Sequence, residues 1–213
     1  MRTLVVVVAA SGLAVAAEPG FEPIFDGESL NGWSLLARKD ATGSWQARDG
    51  TLTVEGRPGS LGTLAEYADF ELRLEWMVGP QGNSGVFYRF KGTGNPAEVA
   101  IEYQIADNAR PASQRFEVRR AGAAYGLYAP TEGASAPPEQ WNSLRIVAHG
   151  SHVEHWMNGQ KVAEFDCVSD DFRDRVRAFG RSAGFAKARS GRIVLQDHGG
   201  LVAFRKIRIR RLE

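Results

Sequence analysis

Three stretches of the chain carry side chains capable of acid–base or sugar-binding chemistry. In the first, Val99, Ile101, Tyr103 and Ile105 alternate with Ala100, Glu102, Gln104 and Ala106. Alternation of this kind puts the two sets on opposite faces of a strand. A carboxyl and an amide two residues apart, flanked by small alanines, suit the floor of a sugar-binding groove. An ordinary polar outer face has the same pattern. Asp107 falls out of phase unless the strand ends or bulges there. The second stretch is Gln196-Asp197-His198-Gly199-Gly200, between two apolar runs. Histidine is the natural base near neutral pH, and an adjacent carboxylate can orient or charge it. The competing reading is a turn in which Asp197 and His198 only cap backbone groups. The third is Asn83-Ser84-Gly85 leading into Val86–Arg89, where Asn83 could meet sugar hydroxyls and Arg89 could point into the same groove or pair with a carboxylate such as Glu102.

Other chemistries lack their motifs. There is no G-x-S-x-G elbow and no H-E-x-x-H. His149, His152 and His155 recur every three residues, a metal-binding spacing on a helix, but the segment alternates like a strand, where i and i+3 point apart. Cys167 is the single cysteine, so no internal disulfide and no C-x-x-C site can form.

The elements that must position these residues are strands. Asp69–Val78 alternates over ten residues, with Phe70, Leu72, Leu74, Trp76 and Val78 on one face. Shorter runs lie at 51–55, 85–90, 99–106, 143–149, 152–157, 161–165, 192–196 and 201–209. Asn158-Gly159 marks a hairpin. Val202 and Phe204 share one parity and Ile207 and Ile209 the other, which predicts a bulge around Arg205-Lys206. Only 170–179 has helical spacing, with Ser169 as its N-cap. Many short strands, Gly-rich turns and one short helix predict an all-β sandwich.

The 213 residues are 43% hydrophobic and 24% charged, with 26 Lys+Arg against 25 Asp+Glu. Those values suit one globular domain and show no basic excess for nucleic acid. Residues 1–17 combine a basic start, an apolar run and small residues at Ala14–Ala17, the pattern of a cleavable signal peptide. The remaining 18–213 then form one domain with equal numbers of acids and bases. The expected setting is the periplasm or the cell exterior, with no stable membrane insertion after cleavage.

Several motifs occur in order over nearly the whole expected mature chain: Phe25–Trp33, Asn83-Ser-Gly-Val-Phe-Tyr-Arg89, Glu102-Tyr-Gln-Ile-Ala-Asp107, Ala124-Tyr125-Gly126, Trp141-Asn142 and Leu195-Gln-Asp-His-Gly199. Together they resemble the 3-keto-disaccharide hydrolase family. The resemblance implies a concanavalin A-like jelly-roll sandwich with the ligand groove on its concave sheet. It also implies an oligosaccharide or glycoside substrate oxidised at C3, which would be cleaved by C2 proton abstraction and β-elimination, with or without hydration. The residues expected to carry this are Glu102 or His198 as base and Arg89, or a divalent metal, on the developing oxyanion. Asn83, Gln104, Asp107, Tyr125 and Gln196 would bind or orient substrate, and Asp197 would orient His198. Glu102, Asp107 and His198 are the candidate ligands if a metal is bound. E-x-Q-x-x-D also resembles E-x-D-x-x-E of retaining β-glucanases, but with Gln104 and Asp107 replacing two carboxylates a double displacement is disfavoured. The alternative is a non-catalytic, lectin-like carbohydrate-binding module. Convergence of Glu102, Gln104 and His198 on one pocket would favour the enzyme; His198 far from Glu102 would favour the lectin.

Overall fold

A computed structural model describes residues 18–36, 42–132 and 135–213. The expected signal segment, 1–17, lies outside the described residues. The strands are β1 (Glu22–Pro23), β2 (Trp33–Leu35), β3 (Thr42–Arg48), β4 (Thr51–Arg57), β5 (Leu61–Thr63), β6 (Phe70–Val78), β7 (Asn83–Phe90), β8 (Ile101–Ala106), β9 (Asn142–His149), β10 (His152–Met157), β11 (Gln160–Asp166), β12 (Arg192–Leu195) and β13 (Val202–Arg211). They form two antiparallel sheets. The larger runs β11-β10-β9-β6-β13-β4-β3, with β1 also on β13; the smaller runs β2-β5-β12-β7-β8. This is the expected sandwich.

The alternating residues of the sequence meet between the sheets. Phe70, Leu72, Leu74 and Trp76 from β6 share one buried cluster with Val86, Tyr88, Ile101, Tyr103, Ile105, Ile193 and Leu195 from the smaller sheet. Burying each such large apolar side chain contributes about 1.5–3 kcal/mol. A second, smaller cluster of Phe87, Phe90, Ala100 and Val194 lies apart from it. By strand alternation it belongs to the opposite face of the smaller sheet, the one turned away from the core.

Local signals hold where their chemistry is specific. Asn158 and Gly159 both have positive φ and close the β10–β11 hairpin. The register of β13 shifts between Arg205 and Arg208, with Lys206 at φ +54°, which is the predicted bulge. Ser169 Oγ accepts from Phe172 N at the start of α2 (Asp170–Ala178). A further one-turn helix, α1 (Pro111–Arg115), was not expected. The strands β1, β2, β3 and β5 were not expected either.

His155 is fully buried on the apolar face of β10, apart from the exposed His149 and His152. Burial lowers its pKa to about 4, so it is neutral at pH 7. Its Nδ1 faces the Gly122 carbonyl at 3.1 Å and must carry the proton; Nε2 therefore accepts from Tyr88 Oη at 2.9 Å. It is a satisfied core histidine.

Candidate functional site

The outer face of the smaller sheet carries the polar residues of β7, β8 and the end of β12. In the register, Phe87 pairs with Glu102, Gly85 with Gln104 and Asn83 with Ala106. Gln196 N donates to Gly85 O at 2.9 Å, and Ser84 Oγ donates to Gln196 O at 2.8 Å. Asn83, Gly85, Gln104 and Gln196 thus form neighbouring positions around Glu102. Beyond β8, the 122–125 segment continues the pairing: Tyr125 N donates to Glu102 O at 3.0 Å. Tyr125 then meets Phe179 edge-on, 5.8 Å between centroids.

Glu102 is the chemical centre of this face. It is 7% exposed and makes no ion pair among the described residues. Burial raises its pKa to about 8, against the opposing charge of Arg181. At pH 7 it is therefore mostly protonated. Gly85 makes room for it, because a Cβ at Gly85 would lie 2.2 Å from Glu102 Oε1. In one orientation of the Gln104 amide, its nitrogen donates to Asn83 Oδ1 at 3.0 Å and its oxygen then lies 3.2 Å from Glu102 Oε1. Two oxygens attract at that distance only when Glu102 carries its proton. With the amide turned, its nitrogen donates to Glu102 Oε1 and to Ser84 O at 3.2 Å each, which suits the ionised carboxylate. In that orientation the Gln104 oxygen faces Asn83 Oδ1 at 3.0 Å, so the Asn83 amide must turn with it. Gln196 Oε1 is buried without a hydrogen-bond partner, leaving an acceptor on the same face.

The other candidates stand elsewhere or are occupied. Arg89 does not point at the groove. It adopts φ +54° at a bulge, where Phe90 pairs with Arg192 and Phe87 with Val194. The left-handed residue breaks the alternation and turns the side chain toward the larger sheet. There it donates to Ala68 O, Gly150 O and Asp69 Oδ1, each at 2.8 Å. Asp107 ends β8, and its oxygens accept from Gln81 N at 2.8 Å and Ala109 N at 2.9 Å. Asp197 accepts from Gly59 N and Gly199 N, both at 2.9 Å, and caps the turn rather than orienting His198. His198 is exposed and lines a shallow hollow with Val54, Arg57 and Leu201 that does not include Glu102. The proposed trio of Glu102, Asp107 and His198 forms no metal cluster. Among the described residues the triad with ligand atoms within 4.8 Å of one another is His152, Glu154 and Glu164, on the larger sheet. There Lys161 Nζ already contacts both glutamates. Cys167 is half-buried, and burial pushes its thiol up to about 11, which leaves it unreactive.

Sequence reasoning missed Arg181 and Phe179. Phe179 was visible only as part of a helical spacing. Arg181 follows the helix in a segment with no periodicity, and nothing in the local sequence ties it to Glu102.

Two stacked antiparallel sheets with a buried acid on one outer face make this a concanavalin A-like sandwich of the kind found among carbohydrate-active proteins. The chain belongs to the 3-keto-alpha-glucoside-1,2-lyase-like family, whose model matches residues 20–210. A 3-keto-disaccharide hydrolase of Bacteroides thetaiotaomicron is 27% identical over 229 residues, covering 91% of this chain and 79% of the relative. A protein of Parabacteroides distasonis, provisionally classed as a glycosyl hydrolase, superposes with TM-score 0.78 at 28% identity, covering 91% of this chain and 95% of that one. The carbohydrate-binding module CBM66 of Bacillus subtilis shares the fold at 12% identity, with TM-score 0.52 and coverage of 84% and 95%. Among the described residues no helix is long and apolar enough to cross a membrane.

Proposed function

We propose that the protein cleaves glycosidic bonds of sugars oxidised to a ketone at C3, with Glu102 as the acid–base group. The observation that carries the proposal is the buried, unpaired Glu102 carboxyl beside Gly85 and Gln104, held near a pKa of about 8. Family membership and the name of the Bacteroides relative support the substrate class.

A ketone at C3 acidifies the proton on C2 and places the C1–O bond β to the carbonyl. Ionised Glu102 takes the C2 proton, and the electron pair moves onto the C3 oxygen as an enolate. When the carbonyl re-forms, the C1–O bond breaks and C1=C2 forms. The departing oxygen takes the proton that Glu102 now holds, which returns Glu102 to its ionised form. Addition of water across C1=C2, hydroxyl to C1 and hydrogen to C2, completes hydrolysis. A carboxyl with its pKa near the working pH suits both steps, because it is a stronger base than an ordinary carboxylate and a competent acid once protonated. Gln104 lies within hydrogen-bond distance of it. No step is routed through a metal, since Glu102, Asp107 and His198 do not come together. We further propose that the protein works after export, outside the cytoplasm.

The test is incubation with a 3-keto-glucoside, following enone absorbance, released aglycone and deuterium uptake at C2. The wild type should release aglycone and exchange C2 hydrogen, and Glu102→Gln should do neither. Failure of the wild type on every 3-keto-glycoside overturns the proposal. The competing reading, a non-catalytic carbohydrate-binding module, is favoured by one observation: His198 stands apart from Glu102. It predicts binding of neutral glycans without turnover.

A further inference from the structure

A basic concavity lies between α2 and the 181–189 segment. It encloses about 630 Å³. Phe172, Val176 and Phe185 give it an apolar wall, and Arg173, Arg177, Arg181, Lys187 and Arg189 surround it, with Asp170 the one acid in its lining. Two of the cations are already matched, Arg173 by Asp170 and Arg177 by Asp174. Arg181, Lys187 and Arg189 have no carboxylate within ion-pair distance among the described residues, in a chain whose formal net charge is only +1. The excess positive charge is therefore local.

Arg181 is the most constrained of the three. Its guanidinium lies over the Phe179 ring at 5.0 Å and the Phe185 ring at 5.6 Å, and its Nε is buried without a hydrogen-bond acceptor. A buried donor without a partner is disfavoured unless something else supplies the acceptor. The same ring contacts connect the cavity to the site: Arg181 stacks on Phe179, Phe179 meets Tyr125 edge-on, and Tyr125 N holds the Glu102 carbonyl. Arg181 both lines the cavity and is the cation whose charge acts on Glu102, so the cavity borders the site.

We infer that this cavity receives the leaving group of the substrate and selects one that carries a carboxylate or phosphate on an apolar ring or sugar body. This rests on the proposed cleavage of 3-keto-glycosides. Planar guanidinium groups suit either anion, and the Phe172–Val176–Phe185 wall suits the body that carries it. Because Lys187 and Arg189 are exposed or nearly so, attraction should weaken as salt rises.

The experiment has two arms. In the first, paired 3-keto-glucosides with the same linkage carry either a neutral phenol or its carboxylated or phosphorylated counterpart. The anionic substrates should have a KM at least about tenfold lower at low salt, shrinking toward equality at high salt. In Lys187→Gln/Arg189→Gln that advantage should fall to about twofold or less, while Arg48→Gln, on the β3–β4 turn, should keep it. In the second arm, calorimetry measures binding of glucuronate and of glucose 6-phosphate, with glucose as the neutral control. This arm does not depend on turnover, so it reads the cavity even if no 3-keto-glycoside is cleaved. Binding of either anion that is lost in the double variant supports the site, and the stronger of the two identifies the anion. Equal KM values for neutral and anionic substrates overturn the leaving-group assignment. Absence of binding by both anions overturns the cavity as an anion site.

Discussion

Two glutamates, Glu71 and Glu102, sit almost wholly buried on the outer faces of opposite sheets, and their surroundings drive them to opposite states. Glu71 on β6 is 1% exposed. Burial alone would raise its pKa, but hydrogen bonds from Arg145, Arg73 and Arg210 outweigh that and hold it below the ordinary glutamate value. The three arginines reach it at 2.6, 2.7 and 2.5 Å. Glu102 has similar burial and no such cations, so desolvation prevails and its pKa rises to about 8. A buried carboxyl is permanently charged where cations surround it and exchangeable where they do not. The first arrangement fastens strands β6, β9 and β13 together. The second leaves a proton that can move at neutral pH.

The sharpest way to break the contrast is to remove each carboxyl in turn. Glu102→Gln should cut turnover of a 3-keto-glucoside by at least about 10³-fold, roughly 4 kcal/mol in the barrier. The same substitution should stabilise the fold at pH 8 by up to roughly 4 kcal/mol, because there the folded state still holds about half of a proton that the unfolded state has released. Loss of activity with gain of stability is the signature of a functional group held against its preference. Urea unfolding at pH 8 beside a single-turnover assay checks both halves. A variant that is inactive but less stable would instead make Glu102 structural.

Glu71→Gln should do the reverse. It strands three arginines around an uncharged amide, and removing one partner of a buried pair costs about 3–5 kcal/mol. The arginines are about one-third exposed, so water recovers part of that and the expected loss is about 2–3 kcal/mol. The kcat of the protein that remains folded should be unaltered. A change in kcat without a change in the unfolding midpoint would contradict the division of labour between the two sheets.

Stability against pH sharpens the comparison further. Glu102 has a folded pKa raised from 4.5 to about 8, so its contribution is fully present below 4.5 and is lost as pH rises through 8. His155 has a folded pKa lowered from 6.5 to about 4, so its contribution is present above 6.5 and is lost as pH falls through 4. The two slopes oppose each other between about 4.5 and 6.5, and above 6.5 only the Glu102 slope remains. The fold should lose about 2 kcal/mol between pH 6.5 and 8. Denaturant titrations at half-unit intervals should show that decline in the wild type and not in Glu102→Gln.

How far the molecule could be read from its residues follows the same division. The alternation of Ala100, Glu102, Gln104 and Ala106 was visible because a regular strand imposes it. So were the Asn158-Gly159 hairpin and the bulge at Lys206, where a turn dipeptide or a parity slip left a mark. Arg89 was misplaced because its bulge falls inside an apolar run, at an arginine rather than a glycine, so the parity count carried no warning. Asp107 and Asp197 look like chemistry in sequence, but an aspartate at a strand end beside turn residues finds backbone N–H groups first. Alternation on β6 puts Glu71 opposite Phe70 and Leu72 but gives no sign of its cluster, because Arg145 and Arg210 lie far along the chain. Arg181 was invisible for the same reason. Local pattern reports which face a side chain occupies, and only the fold reports which charges meet it there.

The smallest expected effect concerns His198. As the neighbour of Asp197 in a Gly-rich turn it was the rival candidate for the base, and the structure gives it no part in the Glu102 face. The Asp197 carboxylate accepts from Gly59 N and Gly199 N and makes no hydrogen bond to the imidazole. The imidazole itself is exposed beside Arg57, with no hydrogen bond among the described residues. His198→Ala should therefore change kcat/KM on a 3-keto-glucoside by no more than about twofold, ~0.4 kcal/mol, and should not move the pH profile that Glu102 sets. Asp197→Ala should by contrast lower the unfolding midpoint, since it leaves buried backbone donors without an acceptor. If His198→Ala instead cost 10²-fold in kcat with the pH profile displaced, the base would be the histidine. The turn at 197–200 would then have to move onto the Glu102 face during turnover, and the contrast between an exchangeable and a fixed glutamate would no longer account for the chemistry.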